Sequence, residues 1–325
     1  IENQLGLKYF NACTEDHAGE LFFGINDRYK EERFITFGKN ELISTLKKNG
    51  FSVNEMVFPF PDYKLPRLLV REKSINETTP ILEHIIGQYP SRDYLHNFSP
   101  LFIEENVWPV ICRNRLISEF ANSFLVFATP KGSSSSPDLF EPWLFQTFSS
   151  ARSKRYLCSN SFFYEESGYF VKKELLYPEN RSYHTQDRSP VLHHTKREKV
   201  IQGTPYNQGL INRLSGDDAF QVYVDHLLPW IDFLKKQVLS VEGKIGARQF
   251  LPGRLWDCIP LNLMVKPDGS LEAFDLEWEY HKPIPLEFLV IRGVLHDVAR
   301  KLDLYRKTSL FRNCVLASII EKIQK

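Results

Sequence analysis

The hydrophobic pattern switches between the two periods that distinguish strands from helices. Phe51 to Phe60 alternates apolar and polar positions, is rich in β-branched and aromatic residues, and ends at Pro59-Phe60-Pro61-Asp62, so it reads as a strand. Just before it, Leu42, Ile43 and Leu46 share one face of a helix that Thr36 would cap and Asn49-Gly50 would close. Ile1 to Phe10 reads as the end of a strand leaving into a loop, with Glu2 and Asn3 at its carboxyl edge. The polar stretches Asp16-His17-Ala18-Gly19 and Gly24-Ile25-Asn26-Asp27 then form a flap long enough to be functional. Further on, Pro66 to Arg71 is extended, Thr79 to Tyr89 and Val107 to Ala121 are helical, and Asn122 to Ala128 is a short buried strand. Strand, loop, helix, strand is an α/β order.

At Lys131-Gly132-Ser133-Ser134-Ser135-Ser136-Pro137 the texture changes to low complexity, which suits a flexible linker. The expected organisation is a domain over 1–130, a linker over 131–137, and a second domain over 138–325. In the second, Arg155 to Phe163 and Gly168 to Leu175 read as strands around a Glu165-Glu166-Ser167-Gly168 turn, and Asp217 to Val238 as a helix. Leu263 to Val265 and Leu271 to Phe274 flank a Pro267-Asp268-Gly269 turn and predict a hairpin. A helical region from Leu286 to Ile323 closes an α+β order, while Tyr183 to Gly203 carries no clear pattern.

Composition narrows the function classes. The chain has 325 residues, 42% of them hydrophobic and 14% aromatic, enough for two cores. Its 41 basic and 40 acidic residues nearly cancel, which argues against nucleic acid as a partner. Cys13, Cys112, Cys158, Cys258 and Cys314 are scattered, odd in number and without a CxxC pair, so neither a disulfide framework nor a zinc cluster is expected, and a reducing, cytoplasmic setting fits. No apolar run approaches the roughly 20 residues of a spanning helix. The chain enters ordered-looking sequence directly at Ile1, as a piece of a longer protein would.

The sharpest chemical signal runs from Leu255 to Tyr280. Asp257 and Asn262 precede one strand of the predicted hairpin, and Asp275 and Glu277 follow the other, so the polar groups converge at its open end. One carboxylate to orient a hydroxyl, with an amide and a carboxylate to hold Mg²⁺, is what a phosphate-bound metal needs. Asp and Asn also favour turns, and Glu277 and Glu279 alternate with Leu276 and Trp278 as a solvent-facing edge would. Lys172 and Lys173 face opposite sides of their strand, so only one points inward. His193-His194, with Lys196, Arg197 and Lys199, lack ligand spacing and read as a solvated loop. Asp16 and His17 read either as an exposed loop pair or as part of a functional flap with His17 as general base, since imidazole titrates near neutrality. Trp108, Trp143 and Trp230 read as packing residues.

Two resemblances extend these readings. Ile1-Glu2-Asn3-Gln4-Leu5-Gly6-Leu7-Lys8-Tyr9-Phe10, Glu15-Asp16-His17, Thr36-Phe37-Gly38, Pro59-Phe60-Pro61-Asp62-Tyr63-Lys64-Leu65-Pro66 and Ala121-Asn122-Ser123-Phe124-Leu125 resemble the carboxyl-terminal portion of class I S-adenosylmethionine (SAM)-dependent methyltransferases of the bacterial O-antigen and surface-polysaccharide type. The resemblance covers about 1–129. It implies a Rossmann-like sheet, a sugar or polysaccharide acceptor, Asp16 and His17 at the acceptor, and Glu2 and Asn3 toward the cofactor. No GxGxG turn occurs in the chain, so the SAM grip is expected elsewhere in the parent protein.

The stretch from Lys154 to about Leu304 resembles kinase-like phosphotransferases of the aminoglycoside and choline kinase type. Asp257 to Asn262 is similar to their D-x-x-x-x-N loop, Asp275 follows at a similar spacing, and Asp275-Leu276-Glu277 looks like a D-x-D/E variant. By that resemblance Asp257 orients an acceptor hydroxyl, Asn262, Asp275 and Glu277 hold Mg²⁺, and Lys172 or Lys173 pairs with ATP phosphates. No glycine-rich loop precedes the lysine strand, and Leu255-Trp256 replace the residues that usually precede the aspartate. The alternative is a non-catalytic scaffold that docks a glycosyltransferase or export machinery.

Overall fold

The computed structural model describes residues 1–31, 34–77, 80–95, 99–133, 142–150, 152–166, 168–178, 191–192, 197–214, 218–239 and 249–300. It is a mixed α/β protein of two compact units. The first comprises 1–181 with 196–200, and the second 182–195 with 201–325.

In the first unit, β1 (Phe51–Phe60), β2 (Leu68–Arg71), β3 (Leu125–Pro130), β4 (Phe145–Phe148), β5 (Cys158–Glu165) and β6 (Gly168–Leu175) form one sheet. With β7 (Val191–Leu192) left to the second unit and β8 (Arg197–Lys199) at the edge, the order is β3-β1-β2-β4-β5-β6-β8. The predicted β1 is found over its full span. Its last five residues are all buried, because Met56-Val57-Phe58-Pro59-Phe60 is apolar on both faces. Phe58, Phe60, Leu68 and Val70 share a core with Ile86 of α3 (Pro80–Gly87) and Trp108 of α4 (Glu104–Arg113). The Trp108 ring meets Phe60 edge-on at 5.2 Å, and each such side chain, removed from water, contributes roughly 2–3 kcal/mol.

Several local expectations shift. Thr36 does not cap α2 (Lys39–Lys48): its hydroxyl donates to Tyr29 Oη at 2.6 Å, and Gly38 takes the cap position. Asn49-Gly50 does close that helix, with Gly50 at φ +81° where a side chain would be strained. The helical stretch from Val107 to Ala121 breaks into α4 and α5 (Ile117–Phe120), because Arg115 turns left-handed at φ +59°.

Two larger expectations are corrected. The 131–137 segment lies between strands of a single sheet: β3 pairs with β1, and beyond the segment β4 pairs with β2 through Leu68↔Thr147 and Val70↔Phe145. The strands before and after it in sequence belong to the same sheet and the same unit, so no boundary between the two units falls there. Nor is the sheet a parallel Rossmann core, since all its strand pairs are antiparallel. The 61–67 connection between β1 and β2 is too short for the crossover that parallel neighbours require. The extended segment at the start does lie beside β3: Glu2 bridges Ser123 antiparallel, so residues 1–3 run in the same sense as β1, with β3 reversed between them.

The second unit has its own core. After the short α6 (Leu210–Arg213), α7 (Ala219–Lys235) forms within the predicted span and buries Tyr223, Leu227, Trp230 and Leu234. Trp230 donates its indole N–H to the Cys258 carbonyl at 2.9 Å. It lies against Gly293 of α8 (Leu286–Arg300), where an added Cβ would sit 2.3 Å from the ring. The predicted helix beyond residue 300 falls outside the described residues. Small sheets complete the unit: β9 (Thr204–Pro205), β11 (Leu263–Val265) and β12 (Leu271–Ala273) form one, β10 (Phe250–Leu251) pairs with β14 (Ile284–Pro285), and β13 (Trp278–Glu279) pairs with β7. The hairpin forms as predicted, in register Leu263↔Ala273 and Val265↔Leu271, with Gly269 at φ +81° in its turn. Strands β4, β5 and β6, expected to belong with this hairpin in a 138–325 module, pair instead within the first unit.

Candidate functional site

The loop that follows residues 1–3 builds a buried charged cluster in the first unit. Asn3 donates to the carbonyls of Glu119 and Ala121, both at 2.7 Å, and its Oδ1 accepts from Leu5 N–H, which turns the chain into α1 (Leu7–Phe10). That turn aims Lys8 inward. The Lys8 side chain is 1% exposed, and its Nζ lies 2.5 Å from Glu2 Oε1 and 3.9 Å from Asp16 Oδ1. Lys64 donates to the other oxygen of Asp16 and stands over the Tyr94 ring at 4.2 Å. Desolvation works to lower the Lys64 pKa, but the hydrogen bond and field of Asp16 outweigh it and raise the ammonium above its usual value. Lys64 stands at the exposed rim, while burial of Lys8 and Glu2 is costly and is offset only by close pairing, which makes the cluster a functional candidate.

Two polar atoms of the cluster make no internal hydrogen bond: Tyr9 Oη and Glu15 Oε1. Tyr9 is pushed to a higher pKa by burial and then by the nearby carboxylates of Glu2 and Glu15. The other Glu15 oxygen accepts from His17 and Ala18 N–H, both at 2.7 Å, so Glu15 shapes the flap from within. The flap is pinned further by Thr14 to Asp93 and by Gln4 to the Gly24 carbonyl at 2.8 Å. At the far wall Asp62 accepts from Lys64 N–H and from Tyr94 Oη, both at 2.8 Å.

Of the predicted residues, Glu2 and Asp16 stand inside the cluster. Asn3 spends its amide on backbone, and His17 is exposed with its ring against Phe34 at 4.9 Å. Lys8, Tyr9, Glu15 and Lys64 were missed as site residues. The available signal was a lone lysine between Leu7 and Tyr9 in an otherwise apolar helical turn.

Glu104, beneath the flap, accepts from Asn11 Nδ2 at 3.2 Å and Ser91 N–H at 3.0 Å. Burial raises its carboxyl pKa above the usual 4.5. A raised folded-state value means that the stability it confers is complete below the unfolded pKa and is lost as pH rises through the folded one. Urea midpoints of the wild type should therefore fall relative to Glu104→Gln on going from pH 4 to pH 8; a pH-independent difference contradicts the assignment.

In the second unit the hairpin brings Asn262 and Asp275 to one end, since Phe274 N–H donates to the Asn262 carbonyl at 3.0 Å. Asn262 Nδ2 donates to the Asp257 carbonyl at 2.9 Å, Asp275 is left-handed at φ +56°, and Glu277 is 2% exposed. Asp257 Oδ1 is held by Arg292 Nη2 at 2.5 Å, and the Arg292 guanidinium lies over Trp256. Among the described residues no three His, Cys, Asp or Glu side chains gather as a metal set. Asn262 and Asp275 together fit Mg²⁺ only as the few protein ligands it takes beside water and phosphate.

Lys173 is buried in the first unit with its Nζ 3.4 Å from Glu198 of β8, while Lys172 faces Glu174 at 3.2 Å on the exposed side. His193, His194 and Lys196 lie outside the described residues, whereas Arg197 reaches Glu165. Trp108, Trp143 and Trp230 are buried, as expected of packing residues. No helix among the described residues is long and apolar enough to cross a membrane. The chain matches no family model, no curated protein and no solved structure.

Proposed function

We propose that the first unit is the acceptor-binding portion of a SAM-dependent methyltransferase that methylates a sugar hydroxyl in O-antigen or surface-polysaccharide biosynthesis. The observation that carries this reading is the Glu2–Lys8–Asp16–Lys64 cluster at the carboxyl end of residues 1–3, covered by the flap.

The described residues offer no glycine-rich cradle for SAM. Here the chain's own groups act on the acceptor. Asp16, held between two ammonium groups, accepts a hydrogen bond from a sugar hydroxyl and orients its oxygen. Lys64 donates to a neighbouring hydroxyl, and His17 at the flap takes the released proton. The second unit is read as a kinase-like module acting on a sugar through Asp257, with Mg²⁺ and ATP at Asn262, Asp275 and Glu277. Its rival is a non-catalytic scaffold for polysaccharide-assembly partners, favoured by the Asp257–Arg292 ion pair that occupies the acceptor-orienting carboxylate.

The test uses the full-length parent protein, methyl-labelled SAM and lipid-linked polysaccharide precursors. The expected product is label in an alkali-stable sugar ether. Folded protein that transfers no label to any saccharide would overturn the reading.

A further inference from the structure

Within the second unit, on the α7 side of β11, lies an open cleft of about 680 Å³, inside the range of small-molecule sites. One wall is a pair of rings: Tyr206 stacks on His226 at 4.4 Å between centroids and 27° between planes. The Tyr206 hydroxyl donates to the His226 carbonyl, which fixes the phenol from its far end.

The imidazole is fixed as firmly. Guanidinium only donates, so Arg213 Nη2 at 3.3 Å makes His226 Nδ1 the acceptor and leaves the ring proton on Nε2. That proton goes to Asn207 Oδ1 at 2.8 Å, and Asn207 in turn donates to Asp297 Oδ1 at 3.4 Å. A relay from 207 to 297 thus holds one neutral tautomer at the back of a solvent-open cleft, an arrangement that serves recognition more than packing.

The remaining lining decides the ligand class. Arg213 supplies donors at the rim, Asp218 and Asp225 supply acceptors, and Val222 and Val265 are apolar. One guanidinium against two carboxylates leaves a negative excess, which disfavours phosphate, nucleotides and other anions. A cation would meet Arg213. Mixed donors and acceptors around a flat ring pair suit a neutral polyhydroxylated ring, with hydroxyls around its edge and an apolar C–H face.

We propose that this cleft is a saccharide-binding subsite, separate from the 257–277 hairpin and independent of any methyl or phosphoryl transfer. The neutral sugar lies with its C–H face on Tyr206, bonded at its edge by Arg213 and Asp225.

The experiment is saturation-transfer NMR on the 325-residue chain with methyl α-glucopyranoside, methyl α-mannopyranoside, N-acetylglucosamine and maltose, and with glycerol 3-phosphate as an anionic control. At least one neutral sugar is expected to show transfer to its ring C–H protons. Arg213→Met and Asp225→Asn, at exposed positions where folding should survive, are each expected to weaken that binding at least fivefold. Tyr206→Leu should abolish it, with the melting temperature of each variant as the check on folding. No transfer to any sugar, transfer unchanged in all three variants, or stronger transfer to glycerol 3-phosphate than to every sugar would each overturn the proposal.

Discussion

Lys8→Met is expected to destabilise the first unit by about 3–5 kcal/mol, the cost of leaving one member of a buried ion pair uncompensated. Lys8 and Glu2 are 1% and 7% exposed at 2.5 Å, so removing the ammonium strands a carboxylate that water cannot reach without opening the turn at residues 3–7. For a unit of this size that corresponds to a fall in melting temperature of roughly 10 °C. The sign of the double variant is the more informative readout. Glu2→Gln with Lys8→Met replaces both charges by groups of similar shape and should recover most of the loss, because a buried pair contributes little net stability over neutral isosteres. Thermal and urea unfolding of the four proteins in this cycle give the coupling directly. A Lys8→Met protein as stable as the wild type, or a double variant worse than both singles, would mean that the pair is more hydrated than its geometry indicates.

Gly253→Ala should be as damaging in the second unit, for a reason unrelated to charge. A Cβ at residue 253 would lie 1.7 Å from the Tyr280 carbonyl oxygen and 2.8 Å from that of Lys282. These are backbone atoms that no rotamer change can move. The Gly253 carbonyl accepts from both Trp256 and Tyr280 N–H, so displacement breaks the link that holds the Asp257 loop to the strand leaving the hairpin. A loss of about 3 kcal/mol or more is expected. Hydrogen exchange should localise it to the amides of Trp256, Cys258 and Tyr280. Gly269→Ala is the control: nothing lies within 4 Å of its added Cβ, and only the strain of φ +81°, roughly 1 kcal/mol, is paid. Equal stability of the Gly253 and Gly269 variants would contradict the close approach.

What the sequence made legible was local. β1, α7 and the hairpin at 263–273 were readable because each carries its own periodicity and turn chemistry over a continuous stretch. The sheet order was not, because β2 chooses β4 rather than a parallel neighbour through contacts between residues some 75 positions apart, which no window captures. The 131–137 segment misled for the same reason. Its composition reports loop character, while domain membership is decided by the strands it joins.

The candidate site divides in a similar way. Asp16 and Glu2 were named from their place beside a strand end and in a polar flap. Lys8 and Lys64, which set the geometry of Asp16, come from α1 and from the loop after β1, and their convergence depends on Asn3 folding back onto residues 119–121. In the second unit the hairpin strands themselves were legible, with Asp257 and Asn262 in the loop before them and Asp275 just after, but the partner of Asp257 is Arg292 of α8, whose role had no signature in spacing.

The central claim, the proposal that the Lys8–Asp16–Lys64 cluster receives a sugar acceptor, is tested most directly by comparing the kcat/KM of the full-length wild type and Asp16→Asn for methyl transfer to saccharide acceptors. The account predicts a fall of at least 100-fold, roughly 3 kcal/mol of lost acceptor orientation in the transition state, with the fold intact. Wild-type kcat/KM in a folded Asp16→Asn protein would contradict it.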